Sequence, residues 1–140
     1  MEKYSIANWK MNLPGSESEK YIREVGKVST EDIRVILAVP ATHIARLAEH
    51  ASENIMIAAQ NIHEETRGAY TGEISAELAG SAGAKAVIIG HSERRTLLHE
   101  TNALIARKMA LAIKYQLLPI LCIGESAEQR ENGHMLKIIR

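Results

Sequence analysis

Residues 86–95 read Ala86-Val87-Ile88-Ile89-Gly90-His91-Ser92-Glu93-Arg94-Arg95. The opening residues are apolar at consecutive positions. That suits a strand covered on both faces in a parallel sheet, whereas a half-exposed antiparallel strand would alternate apolar with polar. The same signature recurs in Val35-Ile36-Leu37-Ala38-Val39. Working outward, short apolar or β-branched runs lie at 5–12, 33–40, 55–62, 86–91 and 117–125, beginning at intervals of 28, 22, 31 and 31 residues. Each interval has room for a helix, so the spacing predicts successive βαβ units.

The intervening segments carry helical period and start signals. Ser16 with Glu19 has capping-box spacing, and Tyr21, Ile22, Val25 and Val28 follow at steps of three and four. Thr42 is positioned to cap a second helix through Ala51, and Ser75 a short third one ending at Gly83. The longest helix is expected over 101–116, with Leu104, Ile105, Met109, Ala112 and Ile113 on its apolar face. Ser126 and Gln129 form another capping pair, and 134–140 reads as the opening of a further helix. Residues 63–74 lack periodicity, and loops of that length in compact domains are usually functional or disordered. Right-handed crossovers leave two closures, an open doubly wound sheet or a barrel. The G-x-G-x-x-G fingerprint that favours the open form is absent after the first strand.

The composition agrees with one ordinary globular domain over 1–140: 46% hydrophobic and 24% charged residues argue against disorder, collagen-like repeats and a membrane span. Seventeen basic residues balance seventeen acidic ones, which gives no field to attract nucleic acid or an anionic membrane, so a small-molecule partner is expected. The lone cysteine, Cys122, and an amino terminus without a long apolar core point to a reducing, cytoplasmic setting.

In parallel α/β folds, ligands meet the carboxyl ends of the strands, so polar residues there are the first candidates. Lys10 near a strand end needs an anionic partner if buried, a carboxylate or a ligand phosphate, but reads equally as a lysine reaching solvent. His91 precedes a stretch able to start a helical turn, whose free N–H groups favour a neutral ring able to donate to a carbonyl; a satisfied core histidine is the alternative. Glu93 either balances Lys10 or is a surface carboxylate. Cys122, set between Leu121 and Ile123, reads as a small buried hydrophobe. No His, Cys or carboxylate spacing suggests a metal site.

Taken in order, Asn8-Trp9-Lys10-Met11-Asn12, Ala59-Gln60-Asn61, Gly68-Ala69-Tyr70-Thr71-Gly72-Glu73, Ile89-Gly90-His91-Ser92-Glu93-Arg94-Arg95 and Leu121-Cys122-Ile123-Gly124-Glu125 closely resemble the triosephosphate isomerase family. The resemblance implies a parallel (β/α)8 TIM barrel, of which about five β/α units are present. It also implies cofactor-free interconversion of dihydroxyacetone phosphate and glyceraldehyde 3-phosphate through an enediolate in glycolysis and gluconeogenesis, usually by a homodimer. By resemblance, Asn8 and Lys10 contact substrate and stabilise charge developing on its oxygens. His91 is the neutral electrophile, and Ser92 and Glu93 support it, with Glu93 holding the Lys10 ammonium. The resemblance also places Thr71, Gly72 and Glu73 beside a neighbouring subunit's site and makes Arg94 an ion-pair partner across that interface; a solvated surface charge is the alternative for Arg94.

The family's general base, a glutamate after strand six, and the lid and phosphate-binding turns that follow are not among these 140 residues. Eight units at the observed spacing would need about 224 residues, near the roughly 250 typical of such barrels. The expectation is therefore an amino-terminal barrel portion, inactive alone, that works with a complementary carboxyl-terminal fragment. A non-catalytic oligomerising module is the competing reading, driven by open edges at the first and fifth strands. Closure by two copies would still need Glu125 or Glu128 as a substitute base.

Overall fold

A computed structural model describes residues 3–28 and 32–139. Five strands, β1 (Lys3–Asn8), β2 (Ile33–Val39), β3 (Ile55–Ala59), β4 (Ala86–Ile89) and β5 (Leu118–Leu121), pair in parallel in chain order and curl into a half-barrel. The helices between them are α1 (Gly15–Val25), α2 (Ile44–Ala48), α3 (Ala76–Ser81), α4 (Ser92–Leu97) and α5 (Asn102–Lys114). After β5 come α6 (Ala127–Glu131) and α7 (Met135–Ile139). Arg140, at the end of the expected last helix, and Met1 lie outside the described residues.

The continuous apolar runs divide between two faces because successive side chains point to opposite sides of a strand. Leu37, Val39, Ile57, Val87 and Ile89 face outward into the main core, where they meet Ile22 of α1, Ile44 and Leu47 of α2, Ala79 of α3 and Ile105 of α5. Ile36, Ala38, Ala58, Ala86 and Ile88 form a second cluster on the other face. The pairing Ala38↔Ala58↔Ala86 puts three small residues abreast, which suits the concave side of a curled sheet.

Every strand stops earlier than its apolar run suggests, because the last residues of each run leave the ladder to build turns. Helix starts differ as well. Ser75 and Ser126 cap α3 and α6 as their spacing predicts, the latter in a complete capping box, and Thr101, expected as the first residue of the longest helix, caps α5 instead. Ser16 does not cap: α1 opens two residues earlier than a cap there would set, behind Pro14, without a side-chain cap. Thr42 sits in a 3-10 turn, Ala41–His43, and bonds the neighbouring His43 ring instead of capping α2. On α5 the buried line is Ile105, Lys108 and Ala112, whereas Ile113 is exposed. A lysine therefore occupies the centre of a helix face that the pattern assigns to apolar side chains.

Candidate active site at the carboxyl ends of the strands

The turn after β1 is set by Trp9. Its N–H donates to Ala38 O at 3.0 Å, and its ring packs edge-on against Tyr21 with centroids 5.3 Å apart. With Trp9 turned inward, the next residue swings out, and Lys10 adopts a left-handed backbone with φ of 52°. That conformation costs a non-glycine residue roughly 1–2 kcal/mol. Two side chains hold it: Asn8 Oδ1 accepts from the Lys10 N–H at 3.0 Å, and Gln60 Nε2 donates to Lys10 O at 2.8 Å and to Ala38 O at 3.0 Å. One amide at the end of β3 thus ties the ends of β1 and β2 together.

The Lys10 ammonium meets Glu93 Oε1 at 2.7 Å. This hydrogen bond chiefly holds the Glu93 carboxyl below its ordinary value, so it remains ionised. His91 stands at the N-cap of α4, where its Nδ1 accepts from the Glu93 N–H at 3.3 Å. An acceptor at Nδ1 leaves the proton of the neutral ring on Nε2, free to be donated. Glu93 Oε2, 3.5 Å from Nδ1, is beyond hydrogen-bonding distance. The ring is 22% exposed and borders the cleft.

Asn8, Lys10, Gln60, Gly72, His91 and Glu93 all border one cleft of about 650 Å³. Glu73 and Arg94 reach the same cleft, whereas Thr71 and Ser92 are exposed outside its lining. The 63–74 loop is closed at its base by the bond from His63 N–H to Ile74 O at 2.8 Å, and Tyr70 folds back on His63, with ring centroids 4.3 Å apart. Gly68 permits that fold, since a Cβ there would stand 2.8 Å from the Tyr70 ring.

Arg94 is engaged within the chain. Its Nε donates to Glu100 Oε1 at 2.7 Å, so the guanidinium is not a freely solvated surface charge, and a contact to a second subunit would have to use its other nitrogens. Glu100 also receives Lys108 Nζ at 2.5 Å, and Lys108 in turn donates to Asn61 Oδ1 at 2.8 Å. Burial alone would push the Glu100 carboxyl up, but the hydrogen bonds and charges of Lys108 and Arg94 outweigh it and hold the carboxyl below its ordinary value. This network joins the base of the 63–74 loop, α4 and α5 behind the cleft. Its only sequence signal is a lysine at an apolar helical position, three residues after Ile105.

Cys122 is half-buried against the concave-face cluster, and burial pushes its thiol up, as a packing residue requires. Glu125 does not line the cleft. That position puts it out of reach as a base there, and its own backbone N–H and Arg130 hold its carboxyl low. Among the described residues no cluster of His, Cys, Asp and Glu could hold a metal, and no helix is long and apolar enough to cross a membrane.

An ammonium, a carboxamide and an imidazole able to donate from Nε2 therefore border one cleft at the carboxyl ends of parallel strands. Fold and cleft place the chain in the β/α-barrel class, with five of its strand units present. A family model described as Triosephosphate isomerase matches residues 3–140, and the chain belongs to that family. The triosephosphate isomerase of Acetivibrio thermocellus is 42% identical over 138 residues, covering 97% of this chain and 55% of that protein. That of Mycoplasma mobile is 40% identical over 146 residues, covering 99% and 60%, and that of Alkaliphilus metalliredigens is 41% identical over 144 residues, covering 100% and 58%. The chain spans little more than half the length of these relatives.

Proposed function

We propose that the chain supplies the carbonyl-polarising part of a triosephosphate isomerase active site, interconverting dihydroxyacetone phosphate and glyceraldehyde 3-phosphate without a cofactor. The observation that carries this reading is the shared cleft of Lys10 and His91, with Lys10 held by Asn8, Gln60 and Glu93. Lys10 and Asn8 offer positive charge and an amide to the substrate's oxygens. His91, neutral with its proton on Nε2, donates to the carbonyl oxygen as negative charge develops there in the enediolate. Glu93 keeps the ammonium aimed at the cleft, and Ser92 opens the helical turn that seats the ring. Abstraction of the carbon-bound proton requires a base within hydrogen-bond reach, which this reading assigns to the strands that complete the barrel. Closure over the site would keep water from the enediolate.

The exposed turn at Thr71, Gly72 and Glu73, with Arg94 behind it, is assigned to contact with a second copy in a homodimer. The setting proposed for the reaction is cytoplasmic glycolysis and gluconeogenesis, in keeping with an unpaired Cys122.

Adding a polypeptide that carries the remaining strands to the purified chain should produce isomerase turnover. Lys10→Ala should abolish it. Turnover no higher than in the Lys10→Ala control overturns the reading.

A further inference from the structure

The ladder between β4 and β5 ends at the bond from Cys122 N–H to Ile89 O, 2.9 Å long. Just beyond that rung the two strands part, leaving the carbonyls of Gly90 and Cys122 without a ladder partner between them. Arg95 fills that gap. Its Nε donates to Gly90 O at 2.7 Å and one terminal nitrogen to Cys122 O at 3.2 Å, while the other donates to Asn102 Oδ1, at the start of α5, at 2.8 Å. Its own backbone N–H donates to His91 O at 3.1 Å. The residues on either side of the His91 ring are thus drawn into a small closed loop. Arg95 holds the preceding carbonyl with its side chain and the His91 carbonyl with its backbone, and the Glu93 N–H holds the ring at Nδ1.

The backbone at this point has been shaped to admit the guanidinium. Gly90 is buried with φ of +70°, and a Cβ there would stand 2.9 Å from the terminal nitrogen of Arg95 and 3.0 Å from Ile105 Cδ1. A planar fork can reach carbonyls on two strands and an amide on a helix at once; the point charge of a lysine cannot.

We propose that Arg95 is a positioning residue for His91: its guanidinium fixes the turn that presents the ring with Nδ1 as acceptor and Nε2 as donor. The inference rests on the role assigned to His91 above but is tested apart from it. In the full chain labelled with ¹⁵N at histidine, the wild-type His91 ring should show two well-separated nitrogen shifts, protonated at Nε2. In Arg95→Lys these should move toward a common averaged value, and the Glu93 amide should exchange roughly tenfold faster, because its ring acceptor is no longer held. Unchanged ring shifts, with Glu93 exchange within about twofold of wild type, overturn the proposal, even if the melting temperature falls. Should Arg95→Lys not fold, Asn102→Ala removes one anchor and leaves the guanidinium in place. It should shift both readouts in the same direction by less, and no shift overturns the proposal equally.

In the assembled barrel, Arg95→Lys should lower kcat roughly tenfold to a hundredfold with little change in KM, since misplacing a reacting group by about an ångström costs on that order. A wild-type assembly without turnover would refute the isomerase reading while leaving the ring measurement to decide the role of Arg95.

Discussion

Lys108 and Glu100 face each other inside the protein, Nζ to Oε1 at 2.5 Å, with their side chains only 4% and 3% exposed. The pair links α5 to the segment after α4, and through Asn61 and Arg94 it reaches the turn after β3 and helix α4, both of which border the cleft.

Removing one member of a buried pair strands the other charge, which typically costs about 3–5 kcal/mol, whereas replacing both with apolar groups is often close to neutral. Because Arg94 still holds Glu100, Lys108→Met should lower unfolding free energy in urea by about 2 kcal/mol, less than a fully stranded charge would cost. Lys108→Met combined with Glu100→Leu should cost clearly less than the sum of the two single changes. Additive losses would show that the two side chains are not coupled.

The acid limb of the stability curve should report the same carboxylate. Because the Glu100 carboxyl is held below its ordinary value in the folded chain, its contribution is fully present above about pH 4.5 and is lost as pH falls through the lower folded value. Urea midpoints measured between pH 7 and pH 3 should fall more gently for Glu100→Gln than for wild type. A parallel decline in both chains would remove Glu100 as a source of the acid sensitivity.

Gly83, in the turn before β4, has φ of +100°, and a Cβ there would lie 2.6 Å from the Ala48 Cβ. Gly83→Ala should cost about 2–4 kcal/mol from backbone strain and overpacking together. Adding Ala48→Gly should restore only part of that, because it relieves the clash and not the strain. Full recovery in the double variant would assign the whole cost to the clash.

Burial raises the Cys122 thiol, so at pH 8 its alkylation by iodoacetamide should be at least about fivefold slower than that of free cysteine, rising only at higher pH. A rate equal to that of the free amino acid would mean that the concave face opens readily in solution.

The caps at Ser75 and Ser126 were legible in the sequence because each rests on a side chain reaching a backbone N–H three residues ahead. Ser16 has the same spacing yet caps nothing, since the helix begins two residues earlier, behind Pro14. Lys10 could be placed at a strand end, but not in a left-handed turn latched by Gln60, fifty residues away. Lys108 left only the faint signal of a lysine at an inward helical position, because a helical period records which positions face inward and not whether an inward cation has found a carboxylate.

The sequence by itself determined the parallel strands, their order of appearance, most of the helices, the family, and the residue types that gather at the strand ends. These follow from local period, capping and motif wording, which act over a few residues. Only the tertiary structure decided that Gln60 holds Lys10, that Arg94 and Lys108 share Glu100, and that Arg95 spans the gap between β4 and β5. Those contacts join groups that become neighbours only when the sheet curls, and their energies depend on distance, burial and angle, none of which is written in residue order.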